Sequence, residues 1–504
     1  MLRPTRWLLT CLLFLLASPA YAADLTDVVD AADDDDPFDI HIEPSFKQTI
    51  RSALIQREYP CDPSATGAQR DAFRRLDNDC PEPSVVFRKE MDAERITNEL
   101  NVDIQIGLYK DVELHVRLPY VISDQRTLRF AGGSGLDVAD SGNSFVDPSD
   151  SRVIEDINAN VSDSPFPNDV LTRQYFQTYR LFSLEGQKGP QRAGFGDMTL
   201  GLAWNPFNDQ RDDTKSTLKL AFDYTIPTGE VARADNQGVG RGMHELKWSV
   251  ASSKRFKYLE PYFSVAYILP LAADDSVFLE KGPGQTLTSP GQRAEVTFGS
   301  EFIPFENPEK GQKFVIDVGL KWGFTAEGRD YGYLFDALGN SGCNGLTPGQ
   351  IRDAIEAVRT GQNTDREQVN RAACRWVLDE PANADGGTVF DPSDEDVQDV
   401  PFAHDGITDY EGYATFGATL GLNFQPSEYV QLRGRLGIEH EQEHFITSAR
   451  TGIASSEDGN DTVRFDDPNE RNPYYNPTLD GVGNRFRAEN SLIFSWQLAL
   501  ALQF

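Results

Sequence analysis

From Asn98 to Ile122 the chain alternates apolar and polar residues with period two, on both sides of one tight break. Leu100, Val102, Ile104, Ile106 and Leu108 fall on one face, and Val112, Leu114, Val116, Leu118 and Tyr120 continue it after Lys110 and Asp111. Glu99, Asn101, Asp103, Gln105, Glu113, His115 and Arg117 fall on the other. Period two is the signature of a strand, so the stretch predicts a hairpin with one apolar and one charged face. Charges at that density do not face a dry core unpaired. The second face is therefore expected to meet water or a lattice of ion pairs.

Ten further segments repeat the pattern: 38–57, 195–204, 217–226, 244–254, 261–269, 293–303, 313–325, 413–424, 429–445 and 485–504. With the hairpin they make about twelve strands. The connections alternate in length. "YKD", "RFKYLE", "PFENPEKG" and "QPSEY" are short, and "NPFNDQRDDTK" is somewhat longer; the others, near 58–91, 124–193, 227–242, 270–291, 326–410 and 447–484, are long. An even strand count with short turns at one end and long loops at the other predicts an all-β fold, a single antiparallel transmembrane barrel. Its short turns and both termini are expected on the periplasmic side. The charged face then lines the lumen, with Glu99, Asp103, Glu113, His115, Arg117, Asp317, Lys321, Arg433, Arg435 and Glu439 as candidate lining residues.

The two ends of the chain sharpen this picture. Arg3 and Arg6, an apolar run from Trp7 to Leu16, and Ala20-Tyr21-Ala22 have the layout of a secretory signal peptide, so residues 1–23 are expected to be removed. Residues 24–37, with Asp33 to Asp36, read as an acidic, solvated periplasmic segment ahead of a barrel at 38–504. The last strand carries Leu492, Phe494, Trp496, Leu498, Leu500 and Leu502 on one face and stops at Phe504. Trp496, Leu498, Leu500, Leu502 and Phe504 resemble the assembly signal of bacterial outer-membrane barrels. That resemblance implies recognition by a barrel assembly machinery and a place among the lipid and lipopolysaccharide of a Gram-negative outer membrane.

Composition agrees. Only 39% of residues are hydrophobic and the mean hydropathy is -0.46, which excludes a helical membrane protein and suits a barrel with a polar interior and wet loops. The formal charge of -32 becomes -34 when the two signal arginines leave. Such acidity argues against nucleic-acid binding, which favours basic patches. A saline habitat and loops that hold divalent cations both fit it.

"GLYKDVELHVRLPYVISD", then "GFGDMTLGLAWNP" and "DYTIPTGE", resemble the hairpin patterns of the phenol-degradation (MetA-pathway) transporter-like family of outer-membrane barrels. The resemblance spans the strands over most of the mature chain. It implies a channel-like barrel passing small hydrophobic or aromatic molecules. The long, acidic, cysteine-bearing loops depart from simpler members.

After Cys11 leaves with the signal, Cys61, Cys80, Cys343 and Cys374 remain. Four cysteines permit three pairings; local pairs, Cys61 with Cys80 and Cys343 with Cys374, are favoured because each lies within one loop. Each bridge would stabilise its loop by roughly 3 to 4 kcal/mol in the chain-entropy model, and the periplasm is oxidising. The 326–410 loop also carries helix signals: Thr347 before Pro348 opens "QIRDAIEAVRTG", and Thr364 precedes "DREQVNRAACRWVLDE". "GAQRDAFRRL" is a similar segment between Cys61 and Cys80. These loops read either as a lid over the pore mouth or as loops hardened against proteases. Acidic runs at Asp391 to Asp399 and Asp466 to Glu470 suit calcium in charge but match no calcium-loop spacing, so solvated charge is the favoured reading.

The stretch "GIEHEQEHFIT" contains H-E-x-x-H at His440, Glu441 and His444. That motif binds zinc only on a helix, where residues four apart stack together. Val430, Leu432, Leu436 and Ile438 alternate with Gln431, Arg433, Arg435 and Glu439, which makes the carrier a strand. There the two histidines share a face about 13 Å apart, beyond the reach of one zinc. No cofactor motif stands out. Three functions remain: a passive channel for small solutes, a scaffold displaying braced loops, and, less favoured, an outer-membrane hydrolase using His440 or His444 at the rim. The channel is the expected one, and the protein is not expected to be an enzyme.

Overall fold

The computed structural model describes residues 25–29, 39–60, 85–130, 189–339, 348–360 and 405–504, apart from residues 210, 235, 275, 280–283, 454–462, 464–468, 471, 476, 483 and 484. Twelve strands form its wall. They are β1 (Ile40–Pro60), β2 (Val85–Tyr109), β3 (Val112–Phe130), β4 (Met198–Phe207), β5 (Thr217–Ile226), β6 (Met243–Ser253), β7 (Leu259–Ala272), β8 (Arg293–Asn307), β9 (Gln312–Thr325), β10 (Tyr413–Ser427), β11 (Val430–Glu441) and β12 (Phe486–Gln503). Each pairs antiparallel with the next, and β1 pairs with β12, so the sheet closes on itself and leaves no edge along the wall. The closing seam aligns Phe46 with Leu498 and Ile50 with Phe494.

The turns follow from their residues. Asp111 takes a left-handed φ of 53° in the two-residue turn between β2 and β3, a conformation that Asp tolerates. Between β8 and β9 a short 3-10 helix, Pro308–Lys310, ends on Gly311 at φ 59°, where the absence of a Cβ removes the steric penalty.

The predicted faces separate as the pairing requires. Leu100, Leu118, Leu202, Trp248, Phe298, Leu320, Phe416, Leu436 and Phe494 are exposed. Their cross-strand partners are also mostly apolar, as in Leu100 with Phe46 and Leu436 with Leu420 and Trp496. Charged residues occupy the alternate positions.

Two differences from the sequence reading stand out. The wall is taller on one side: β1, β2 and β3 run for 21, 25 and 19 residues, against 10 each for β4 and β5. These strands continue through parts of the expected loops 58–91 and 124–193, because mutual pairing of mixed polar residues sustains them without an apolar stripe. The expected strand 429–445 also ends at Glu441, and only His444–Phe445 rejoins β12.

The loop end carries a small core of its own. Phe278, Phe335, Ile407, Met243 and Val277 are buried together there, with Tyr331 against them. Of the expected loop helices, Pro348–Arg359 forms. The segment after Thr364, that between Cys61 and Cys80, all four mature cysteines and Asp391 to Asp399 lie outside the described residues. So do the signal, Asp33 to Asp36, and residues 466–468 of the second acidic run.

Candidate functional site: the lumen and its two ends

The ten candidate lining residues occupy the charged face, and most are drawn into pairs there. Arg117 Nε donates to Asp103 Oδ1 at 2.6 Å, directly across β2 and β3. Glu99 stands opposite Lys47. Arg433 donates to Glu43 at 2.6 Å, reaching diagonally across β12, where Ala499 pairs with Arg433 on one side and with Ser45 on the other. Of the two expected environments, water or a lattice of ion pairs, these residues show the second, a wall laced by ion pairs.

Glycines make the longer bridges possible. Gly201 lies between His115 on β3 and Asp223 on β5, and a Cβ there would sit 2.0 Å from His115 Nε2. Without one, His115 and Asp223 meet at 2.6 Å over the intervening strand, with Glu113 3.3 Å from the other ring nitrogen. Gly417 likewise separates Lys321 from Glu439, which approach to 3.4 Å, while Glu295 approaches Lys321 from the other side at 3.4 Å. Gly421 separates Asp317 from Arg435. Tyr262 lies over Gly299 and Gly319 and donates to Asp317 at 2.7 Å. The sequence reading missed this floor. Its signal was glycine at inward strand positions, where Gly otherwise weakens a strand.

At the turn end the lumen holds the chain's own N-terminal segment. Thr26 and Val29 are buried. The Val29 N–H donates to Glu113 Oε2 at 2.9 Å, and Thr26 Oγ1 meets Ser253 Oγ at 2.7 Å. Asn205 Nδ2 donates to the Thr26 carbonyl at 3.0 Å and Lys219 Nζ to that of Asp27 at 2.7 Å. Four wall strands therefore hold three residues, Thr26, Asp27 and Val29, that the sequence assigns to a solvated segment. The polar wall supplies partners that a hydrophobicity pattern does not show.

At the loop end Asp336 is inserted into the wall's upper rim. It accepts from Arg192 at 2.5 and 3.1 Å and lies 3.7 Å from Arg126. The Phe335 ring stacks under both guanidinium groups, at 5.0 and 5.3 Å. Arg241 holds Asp330 through two bonds of 2.9 Å; burial weakens that cation, but Asp330 and Glu245 together raise its pKa above the ordinary value. Arg329 donates to Asp409 at 2.7 Å and to the Ile407 carbonyl at 2.6 Å, over the Tyr474 ring.

The H-E-x-x-H residues are on strands, and they part company. His440 pairs with Phe416 and Leu492, in the apolar row. The strand breaks after Glu441, which turns His444 inward to stack on Tyr413 at 3.9 Å; the two histidines therefore do not share a face as expected. Among the described residues no group of three or more His, Cys, Asp or Glu is arranged to hold a metal ion.

No family model and no curated protein matches the sequence. Among solved structures, the chain is similar to the COG4313 outer membrane channel from Pseudomonas putida F1, at 10% identity over 97% of this chain and 100% of that one, TM-score 0.36. It is also similar to a Pseudomonas aeruginosa FadL homologue, at 8% identity over 93% and 90%, TM-score 0.26. The outer membrane protease OmpT from Escherichia coli matches at 7% identity over 95% and 100%, TM-score 0.27. Scores this low carry no functional argument, and the fold rests on the strand pairing.

The last strand's Leu498 and Phe504 are 60% and 65% exposed, on the apolar side. Trp496 stacks on Phe46 at 5.1 Å, and Leu500 and Leu502 align with Leu432 and Val430.

Proposed function

We propose that the protein is an outer-membrane channel barrel for small solutes, of the hydrophobic or aromatic kind that the hairpin resemblance implies. The observation that carries the reading is the closed twelve-strand wall with an exposed apolar face outside and paired charges inside. An apolar belt of this extent is stable against lipid and costly against water. Lipid and lipopolysaccharide are then its surroundings, the terminal strand its assembly signal, and the acidic loops are where divalent cations would gather. Its action is selection and diffusion through the lumen, without catalysis or a cofactor.

The pairing inside shapes the pore. Opposed charges such as Arg433 and Glu43, or Lys321 and Glu439, set a transverse field across the lumen and narrow it. Single-channel recording on the refolded mature protein tests the reading. Arg433→Ala and Glu439→Ala are expected to change step size or ion selectivity. Substituting Leu436→Arg on the outer face should instead lower barrel stability by roughly 2–4 kcal/mol without touching selectivity.

A second reading, a non-conducting scaffold that displays its loops, is favoured by the material seated at both ends of the lumen. Silence in bilayers from a barrel shown to be folded would select it.

A further inference from the structure

Beneath the loop-end core lies a cavity whose wall on β1, β2 and β3 is a row of arginines. Arg51 stands directly opposite Arg95, and Arg95 directly opposite Arg126. All three line the cavity. Like charges directly opposite one another on neighbouring strands destabilise a sheet, so a row of three is a cost that the fold alone does not explain. Their carboxylate partners are already shared. Asp124 takes Arg95 through two bonds of 2.8 Å and lies 3.9 Å from Arg126. Asp336 is engaged by Arg192 and lies 3.7 Å from Arg126. Arg126 is 6% exposed, and its Nε and Nη1 take no hydrogen bond among the described residues. The side chains of Arg51 and Arg95 remain 38% and 34% exposed.

The other side of the cavity is aromatic. Tyr331, Tyr333, Tyr410 and Tyr413 line it. Tyr410 approaches the chain at Gly332, where a Cβ would sit 1.6 Å from its hydroxyl oxygen. The acidic side chains at this side are spoken for: Asp330 by Arg241, and Glu441 by Arg51 at 3.4 Å with Ser491 and Tyr333. Glu94 borders the cavity from a position adjacent to Arg95 on β2, and successive strand residues point to opposite faces.

We infer that this cavity is a binding site for a small aromatic carboxylate. Arg126, whose Nε and Nη1 make no hydrogen bond among the described residues, takes the carboxylate through those planar donors. Arg51 and Arg95, held by Glu441 and Asp124, add their positive field, and the tyrosines take the ring by edge and face contacts. The inference rests on the channel reading in treating the ligand as cargo, and it refines the solute class from aromatic to aromatic and anionic. An aromatic cation is disfavoured by the three arginines, and a bare inorganic anion leaves the tyrosine side uncovered.

The test is isothermal titration of the folded, full-length mature barrel in detergent with benzoate, benzyl alcohol and acetate. Benzoate should saturate one site and bind at least tenfold more tightly than either of the others. Arg126→Gln should weaken benzoate at least tenfold and leave benzyl alcohol unchanged. Should Arg126→Gln fail to fold, Arg126→Lys keeps the charge without the planar fork and should weaken benzoate two- to fivefold. Equal affinity for benzoate and benzyl alcohol, equal affinity for benzoate and acetate, absence of saturation, or indifference to both variants would overturn the proposal. Single-channel recording of the same preparation separates the two readings: conductance without benzoate binding sinks the site alone, and benzoate binding without conductance sinks the channel alone.

Discussion

The two ends of the barrel are both occupied, by interactions of different kinds. The turn end is held by four hydrogen bonds to Thr26, Asp27 and Val29, one accepted by a carboxylate and one donated by a lysine. The loop end is held by a buried aliphatic and aromatic core and by ion pairs sealed from water. A net hydrogen bond contributes about 0.5–1.5 kcal/mol, somewhat more when one partner is charged. Breaking a buried ion pair costs roughly 3–5 kcal/mol, because a charge is left uncompensated. The difference teaches that the turn end is the easier one to clear, and that the loop end behaves as part of the fold.

The contrast can be attacked directly. The largest effect is expected from Asp336→Ala, which takes the shared carboxylate from Arg192 and Arg126 above the Phe335 ring. Hydrogen exchange at the Leu338 amide should rise by about two to three orders of magnitude, with β4 to β6 at the turn end unchanged. Phe335→Ala should cost about 3–5 kcal/mol by removing a fully buried ring. Its thermal midpoint should fall while the Val29 contact survives, and loss of protection at both ends together would show that they are not separate units.

At the turn end the effects are smaller. Thr26→Ala removes one hydroxyl partner of Ser253 and should cost about 1 kcal/mol of the segment's attachment, read as a few-fold rise in proteolysis near Thr26. The smallest effect concerns pH. Burial holds His444 below its ordinary pKa, although the Gln442 carbonyl and Glu441 oppose this. A group whose protonation is penalised in the folded state leaves stability intact above about pH 6.5 and erodes it as pH falls from there. Protection of the Ile446 amide should decline slightly below that pH, and His444→Gln should flatten the decline.

Much of the wall was legible because a closed barrel writes its two faces into alternate residues. The hairpin from Leu100 to Tyr120, the twelve strands and the short turns all follow from period two. The upper parts of β2 and β3 were not legible, since residues such as Lys89, Glu90 and Arg126 look like loop in any hydrophobic pattern. Their pairing is set by register, which a single sequence states only where apolar rows fix it. Of the candidate site, the charges were legible and their partners were not. Gly201 and Gly417 let pairs form across a strand, and that geometry appears only when three strands are side by side. The inward turn of His444 was hidden for a related reason, because the break after Glu441 carries neither glycine nor proline. Thr26 and Val29 read as tail because their partners lie far along the chain.

The proposed channel has its own N-terminal segment seated against the wall at the turn end, where it would obstruct the lumen. The most direct measurement is the single-channel conductance of the mature protein beside a variant lacking residues 24–38, both verified as folded. The account predicts small or infrequent steps from the complete protein and larger, sustained steps from the shortened one. Silence from both, or identical steps from both, would contradict it.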